Sequence, residues 1–235
     1  ITLTSVTTAD GSITVDSGDT LTATLVDSSA TDDGTNDVEL TTTAGDMAVW
    51  QINAGSANDV TLTSAGAITE DGNAATVLTA DVLTATAGGA ITLDTTVSTA
   101  DLATSSAGDI DIDETDAITL TSVTTADGSI TVDSGGTLTA TDVDSSATDD
   151  DTNDVSLTTT SGGIAVVSID AGSAGDATLT AAGAITESGT AAVDVTADLL
   201  TATAGGPITL DTTVASADLA TTAAGAIDLD ETDAI

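Results

Sequence analysis

Apolar and polar residues alternate along most of this chain in short runs. Ile13-Thr-Val15, Ile91-Thr-Leu93, Ile110-Asp-Ile112 and Ile130-Thr-Val132 each set apolar side chains two residues apart, the spacing of a strand with one buried face. Thr, Val and Ile within the runs favour strand, and Gly, Asp, Ser and Asn between them favour turns. No stretch carries a 3.6-residue apolar stripe flanked by helix caps. The closest candidate, 74–85, holds Thr and Val that disfavour a helix. The pattern predicts an all-β chain of short strands and tight turns.

Two repeats lie over this alternation. Ile1–Gly18 recurs unchanged as Ile118–Gly135, a period of 117 residues, and 26 of 118 aligned pairs differ. Exchanges such as Met47 for Ile164, Ile112 for Leu229 and Val82 for Leu199 keep their apolar character. The chain therefore reads as tandem copies, 1–117 and 118–235, two tiles of a longer array. Within copy 1, Leu-Thr recurs at Leu3, Leu21, Leu40, Leu62 and Leu83, with Ala103-Thr104 completing the set, and copy 2 repeats it at spacings of 17 to 22 residues. A second column reads Gly-x-Ile-x-apolar, as in Gly11-Ser-Ile13-Thr-Val15 and Gly108-Asp-Ile110-Asp-Ile112. One such unit cannot bury its inner face alone, but stacked units bury a continuous one. The expected fold is an all-β parallel β-helix (β-solenoid) of about twelve coils of ~20 residues, with both copies forming one continuous solenoid.

Charge narrows the partners. The 235 residues include no Lys, Arg, His, Cys, Phe or Tyr, and 39 acidic residues give a net charge of −39. Nucleic acid is excluded, because phosphate neutralisation needs Lys or Arg. Anionic membrane surfaces repel the chain, and no apolar run is long enough for membrane insertion. Catalysis is not expected either. Without His, Lys, Cys or Tyr a Ser nucleophile lacks its ordinary base. A carboxylate pair acting on acidic sugars would lack cations to bind them. Asp16-Ser-Gly18 and Asp133-Ser-Gly135 match the aspartic-protease triplet, but the twenty-residue pattern around them does not suit a bilobal protease.

Calcium is the cation these acids would take. The most polar segment, Asp27–Asp37, repeats as Asp144–Asp154 with Asp151 replacing Gly34. Asp32, Asp33 and Asp37, with Asp149, Asp150, Asp151 and Asp154, are the candidate ligands for Ca²⁺, a hard ion that prefers oxygen. The competing reading is that Asp favours turns and keeps sheet edges soluble, with no cofactor required. Residues 109–114 resemble the start of an EF-hand loop, but Glu114 stands where Gly is needed and Leu120 where Glu is needed. They are read instead as a strand with Ile110 and Ile112 inward and the acids outward. Thr-x-Thr at Thr2/Thr4, Thr20/Thr22 and Thr61/Thr63 raises ice binding as a minor alternative. Trp50, replaced by Val167 in copy 2, is read as local packing.

Asp81–Leu93, DVLTATAGGAITL, and Asp198–Leu210, DLLTATAGGPITL, resemble the repeats of filamentous-haemagglutinin-type surface proteins and giant bacterial adhesins. The resemblance implies a secreted, extracellular β-helix serving in attachment or as a surface fibre. This chain departs from those repeats in lacking basic and aromatic platforms for glycan recognition. The expected function is a structural part of an extracellular fibre, filament or adhesin stalk on a bacterial-type cell surface. Alternatives are an adhesive module for a glycan or cell-surface partner and a calcium-dependent surface layer. Self-association by end-to-end stacking into filaments is the expected partner relation.

Overall fold

Each run of alternating residues forms a strand, and every strand pairs in parallel with the strand one turn before or after it. The computed structural model describes residues 1–70, 78–189 and 193–232, and among these every regular element is β. The chain is a parallel β-solenoid, as the repeats predict.

Two ladders run its length, and the chain visits them alternately. Ladder A links Thr2–Leu3, Leu21–Ala23, Met47–Val49, Ile68–Glu70, 91–95, Ile110–Glu114 and Ile130–Ser134. It continues through Val155–Thr159, Ala177–Ala181, 200–204 and 217–221. Ladder B links Ile13–Ser17, Val38–Thr42, Val60–Ser64, 83–87, 100–104 and Ile118–Thr124. It continues through Leu138–Ala140, Ile164–Val166, Ile185–Glu187, 208–212 and Ile227–Glu231.

Ladder A thus counts ten turns where the Leu-Thr column implies about twelve, because turn lengths are uneven. Partners Leu21 and Met47 are 26 residues apart, since the Asp27–Asp37 loop lies between them. Leu200 and Ala217 are only 17 apart, and there the chain runs through Ile208–Thr221 without a loop.

The phase of the 117-residue repeat follows from the same pairings. From Thr2–Leu3 to its duplicate in Ile118–Thr124, the chain crosses between ladders eleven times, which is five and a half turns. Copy 2 therefore enters the stack half a turn out of phase. Ile13–Ser17 lies in ladder B and its duplicate Ile130–Ser134 in ladder A. Short continuation strands follow the same rule: Val6–Thr7, Val26–Asp27 and Ile52–Asn53 extend ladder A in copy 1, whereas Val143–Asp144 and Ile169–Asp170 extend ladder B in copy 2.

The core is two columns of aliphatic side chains facing each other. Leu21, Met47, Ile68, Ile91, Ile110 and Ile130 stack in ladder A, and Val38, Val60, Leu83, Ala100 and Leu120 in ladder B, all essentially inaccessible. Burying each large one stabilises the fold by about 1.5–3 kcal/mol. Hydroxyls close the corners: Ser17, Thr42 and Ser64 are buried and donate to the carbonyls of Asp19, Gly45 and Ala67 at 2.7, 3.1 and 3.1 Å.

Candidate functional site

The acidic loops lie on the outside of the solenoid, and hydrogen bonds to protein already occupy most of their carboxylates. Asp32 Oδ1 and Oδ2 accept from the Ala57 and Ser56 amides at 2.7 and 3.0 Å, from Ser56 Oγ at 2.7 Å and from Asn58 Nδ2 at 3.2 Å. Asp149 repeats the arrangement on the Ser173 amide, Ser173 Oγ and the Ala174 amide at 2.6, 2.8 and 3.0 Å. Each carboxylate caps the loop of the next turn. The Ser56 hydroxyl first, then the Ala57 amide, holds the Asp32 carboxyl below its ordinary value, and Ser173 and Ala174 do the same for Asp149. Asp149 also takes a left-handed backbone, φ 44°, which an Asp tolerates better than most residues.

The other expected ligands make local bonds of the same kind. Asp33 accepts from the Thr35 amide and hydroxyl, and Asp150 from those of Thr152. Asp37 and Asp154 accept from the Asp59 and Asp176 amides of the next turn at 3.0 and 2.9 Å. Asp151 is exposed at the tip of its loop. Among the described residues, the one group of three carboxylates with oxygens within 4.8 Å of one another lies elsewhere: Glu187, Asp194 and Asp211. Charge repulsion from Asp211 raises Glu187, and burial raises Asp194, whose carboxylate accepts from the Asp211 amide at 3.0 Å.

Removing a cap should therefore be felt one turn away. Asp32→Ala and Asp149→Ala are expected to lower the melting temperature and speed hydrogen exchange at the Ala57 and Ala174 amides. Unchanged exchange at those amides would show that the carboxylates are dispensable.

Two buried polar features went unread in the sequence. Asn36 and Asn58 form a column: the Gly11 amide donates to Asn36 Oδ1 at 2.8 Å, and the Asn36 amide donates to Asn58 Oδ1 at 2.9 Å. The tripeptide Asn-Asp-Val at 36–38, 58–60 and 153–155 marks this corner. Its recurrence before a strand is the signal that could have found it. Glu114 is the second, and it corrects the reading that every acid of 109–114 faces outward. Ile110, Ile112 and Glu114 share one parity and all point inward. The Glu114 carboxylate accepts from Thr95 Oγ1 and the Val97 and Asp116 amides at 2.8, 3.0 and 2.9 Å. Burial still pushes its carboxyl above the ordinary value.

Outward positions carry the remaining patterns. Asp94, Asp113 and Asp133 are in register on three successive turns of ladder A. Like charges at strand spacing repel by about 1 kcal/mol per pair even in water. Together with Gly135 they line a shallow groove of about 340 Å³. Thr61 and Thr63 stand beside Thr84 and Thr86, and Thr178 and Thr180 beside Thr201 and Thr203, but Glu39, Asp101 and Asp218 interrupt the rows. Trp50 is 41% exposed at a corner, so it packs less than its exchange for Val167 implies. No family model, characterised protein or solved structure matches the chain.

Proposed function

We propose that this chain is a stiff spacer, a stretch of an extracellular fibre, filament or adhesin stalk on a bacterial-type cell surface, with no catalysis of its own. The observation that carries this reading is the continuity of ladders A and B through the boundary between the copies, where 91–95 pairs with Ile110–Glu114 and that strand with Ile130–Ser134. At that boundary ladder A keeps its register, and ladder B stays paired across one register shift between Ala100 and Asp101, so bending and tension pass from one copy to the next through both ladders. Ten turns at strand spacing make a rod about 50 Å long. The charge of −39 keeps neighbouring rods apart at low salt. The resemblance of Asp81–Leu93 to filamentous-haemagglutinin-type repeats agrees with a surface fibre.

Small-angle scattering and negative-stain microscopy of the isolated chain test the reading. A rod of that length supports it, and a compact particle sinks it. Protease mapping adds a second test. The chain has no Lys or Arg, so trypsin survival follows from composition alone. A broad-specificity protease should cut at the Asp27–Asp37 and Asp144–Asp154 loops and leave the ladders intact; cuts spread along the ladders would argue against a rigid rod.

A further inference from the structure

The acids that differ between the two copies are sorted by side of the coil. Copy 1 carries the exposed Asp19, Glu39, Asp46 and Asp109, and copy 2 has Gly136, Ser156, Gly163 and Ala226 in their places. Those four positions lie on ladder A or on the short turn that leads from it into ladder B. The four acids new to copy 2, Asp142, Asp151, Asp170 and Asp194, replace Leu25, Gly34, Asn53 and Val77. All four follow a ladder B strand and precede the next ladder A strand, on the side of the Asp144–Asp154 loop. Of the acids exchanged, Asp71 for Ser188 alone runs against this sorting.

The result is a strip without charge in a chain of −39. Residues 134–141, 155–169, 177–186 and 199–210, on four successive turns, contain no Asp or Glu. Outward on ladder A, Ser156 and Thr158 stand beside Thr178 and Thr180, and these beside Thr201 and Thr203. Outward on ladder B, Thr139, Ala165, Thr186 and Thr209 form one column. Ala165 leaves a notch between its threonine neighbours, part of an uncharged groove of about 260 Å³ that Gly163 and Ala184 also line.

Losing carboxylates costs a surface its attraction for a cationic partner and removes its repulsion of an anionic one. A second copy of this chain is such an anion. We propose that copy 2 carries a lateral self-association surface, on which two rods pair side by side and antiparallel about a two-fold axis. A patch that meets itself requires two-fold symmetry. Parallel rods would set their Asp27–Asp37 loops against each other, because these loops lie on the same edge of the rod, between ladder A and ladder B of copy 1. Antiparallel rods overlap through their copy 2 halves and carry those loops away in opposite directions. The strip is about 20 Å tall and about 30 Å across. A pair then buries on the order of 1,000 Å², the size of a weak, reversible contact. The inference goes beyond the spacer reading, since it gives the rod a partner along its side.

Sedimentation equilibrium on the full 235-residue chain tests the pairing at up to about 100 μM, in about 0.15 M and about 1 M NaCl. The expected result is a monomer–dimer equilibrium with Kd on the order of 10–100 μM. It tightens at high salt, where the acids bordering the strip are screened. Matched variants locate the contact. Thr180→Glu places a charge inside the strip, and Thr63→Glu places the same charge at its duplicate in copy 1, both positions being exposed. Ser156→Glu restores the residue that copy 1 holds as Glu39, so the coil accommodates it. Thr180→Glu and Ser156→Glu are expected to weaken pairing by about tenfold or more, and Thr63→Glu to leave it unchanged. Small-angle scattering of the dimer should give a particle about one and a half times as long as a single rod. A rod that stays monomeric at high salt overturns the pairing and leaves the spacer reading standing. Thr180→Glu pairing as strongly as wild type, Thr63→Glu weakening it equally, or an end-to-end dimer each overturns it too, since the contact then lies elsewhere.

Discussion

Gly135→Ala is expected to destabilise the chain by about 3 kcal/mol, or roughly 10 °C in melting temperature, while Gly18→Ala is neutral or stabilising by up to about 1 kcal/mol. The two glycines sit in identical segments, Ile118–Gly135 and Ile1–Gly18. Neither takes a left-handed backbone, so the difference is one of space alone. At Gly135 the previous turn lies underneath, and the Gly135 amide donates to the Glu114 carbonyl at 2.8 Å. A methyl group there must push the turns apart against their hydrogen bonds. At Gly18 of the 235-residue chain a Cβ meets nothing within 4 Å, and an alanine simply restricts the unfolded chain. Thermal unfolding followed by circular dichroism on both variants checks the pair. Equal effects at the two positions would contradict the turn-on-turn stacking that places Thr115 beneath Gly135.

Acidification from pH 7 to about pH 4.5–5 is expected to raise the melting temperature by several degrees, the reverse of ordinary acid denaturation. Burial is the largest cause raising the carboxyls of Asp59, Asp94, Asp111, Glu114 and Asp194, and repulsion from Asp211 is the largest for Glu187. A carboxyl raised in the folded chain binds its proton more tightly there than in the unfolded chain. Its contribution is complete below the unfolded values, 3.8 for Asp and 4.5 for Glu, and is lost as pH climbs through the raised folded value. Asp32 and Asp149 act in the opposite sense. Their carboxyls are lowered, so their contribution is present above 3.8 and lost as pH falls through the lowered value. Stability should pass through a maximum between these two windows. Salt at pH 7 should recover part of the gain by screening the repulsive share, and dilute samples are needed because the isoelectric point is about 4.1. A maximum at neutral pH would overturn the assignment of the raised carboxyls.

The acid at 114 shows where sequence reading stopped. Alternation alone placed Ile110 and Ile112 inward, and the same parity required Glu114 to follow them. Reading the residue by its charge instead sent it outward. What makes the inward position tolerable is non-local: Thr95 and Val97, one turn earlier, supply donors that no neighbour in sequence reveals. The capping of Ser56 and Ala57 by Asp32 across 24 and 25 residues is of the same kind.

The strands, their inward parity and the solenoid are legible in the residues alone, because a period of two and a tandem repeat leave little else that buries these aliphatic side chains. Which strands stack is visible in the fold and not in the chain. Leu3 pairs with Ala23 rather than Leu21, and Leu40 lies between Val15 and Leu62 in the other ladder. The Leu-Thr column is thus shared between the two ladders. The physical reason is that register in a coil is set by the summed length of its loops, and a turn that varies between 17 and 26 residues cannot be phased from a local motif. Five and a half turns per repeat and the half-turn offset between copies both follow from that sum.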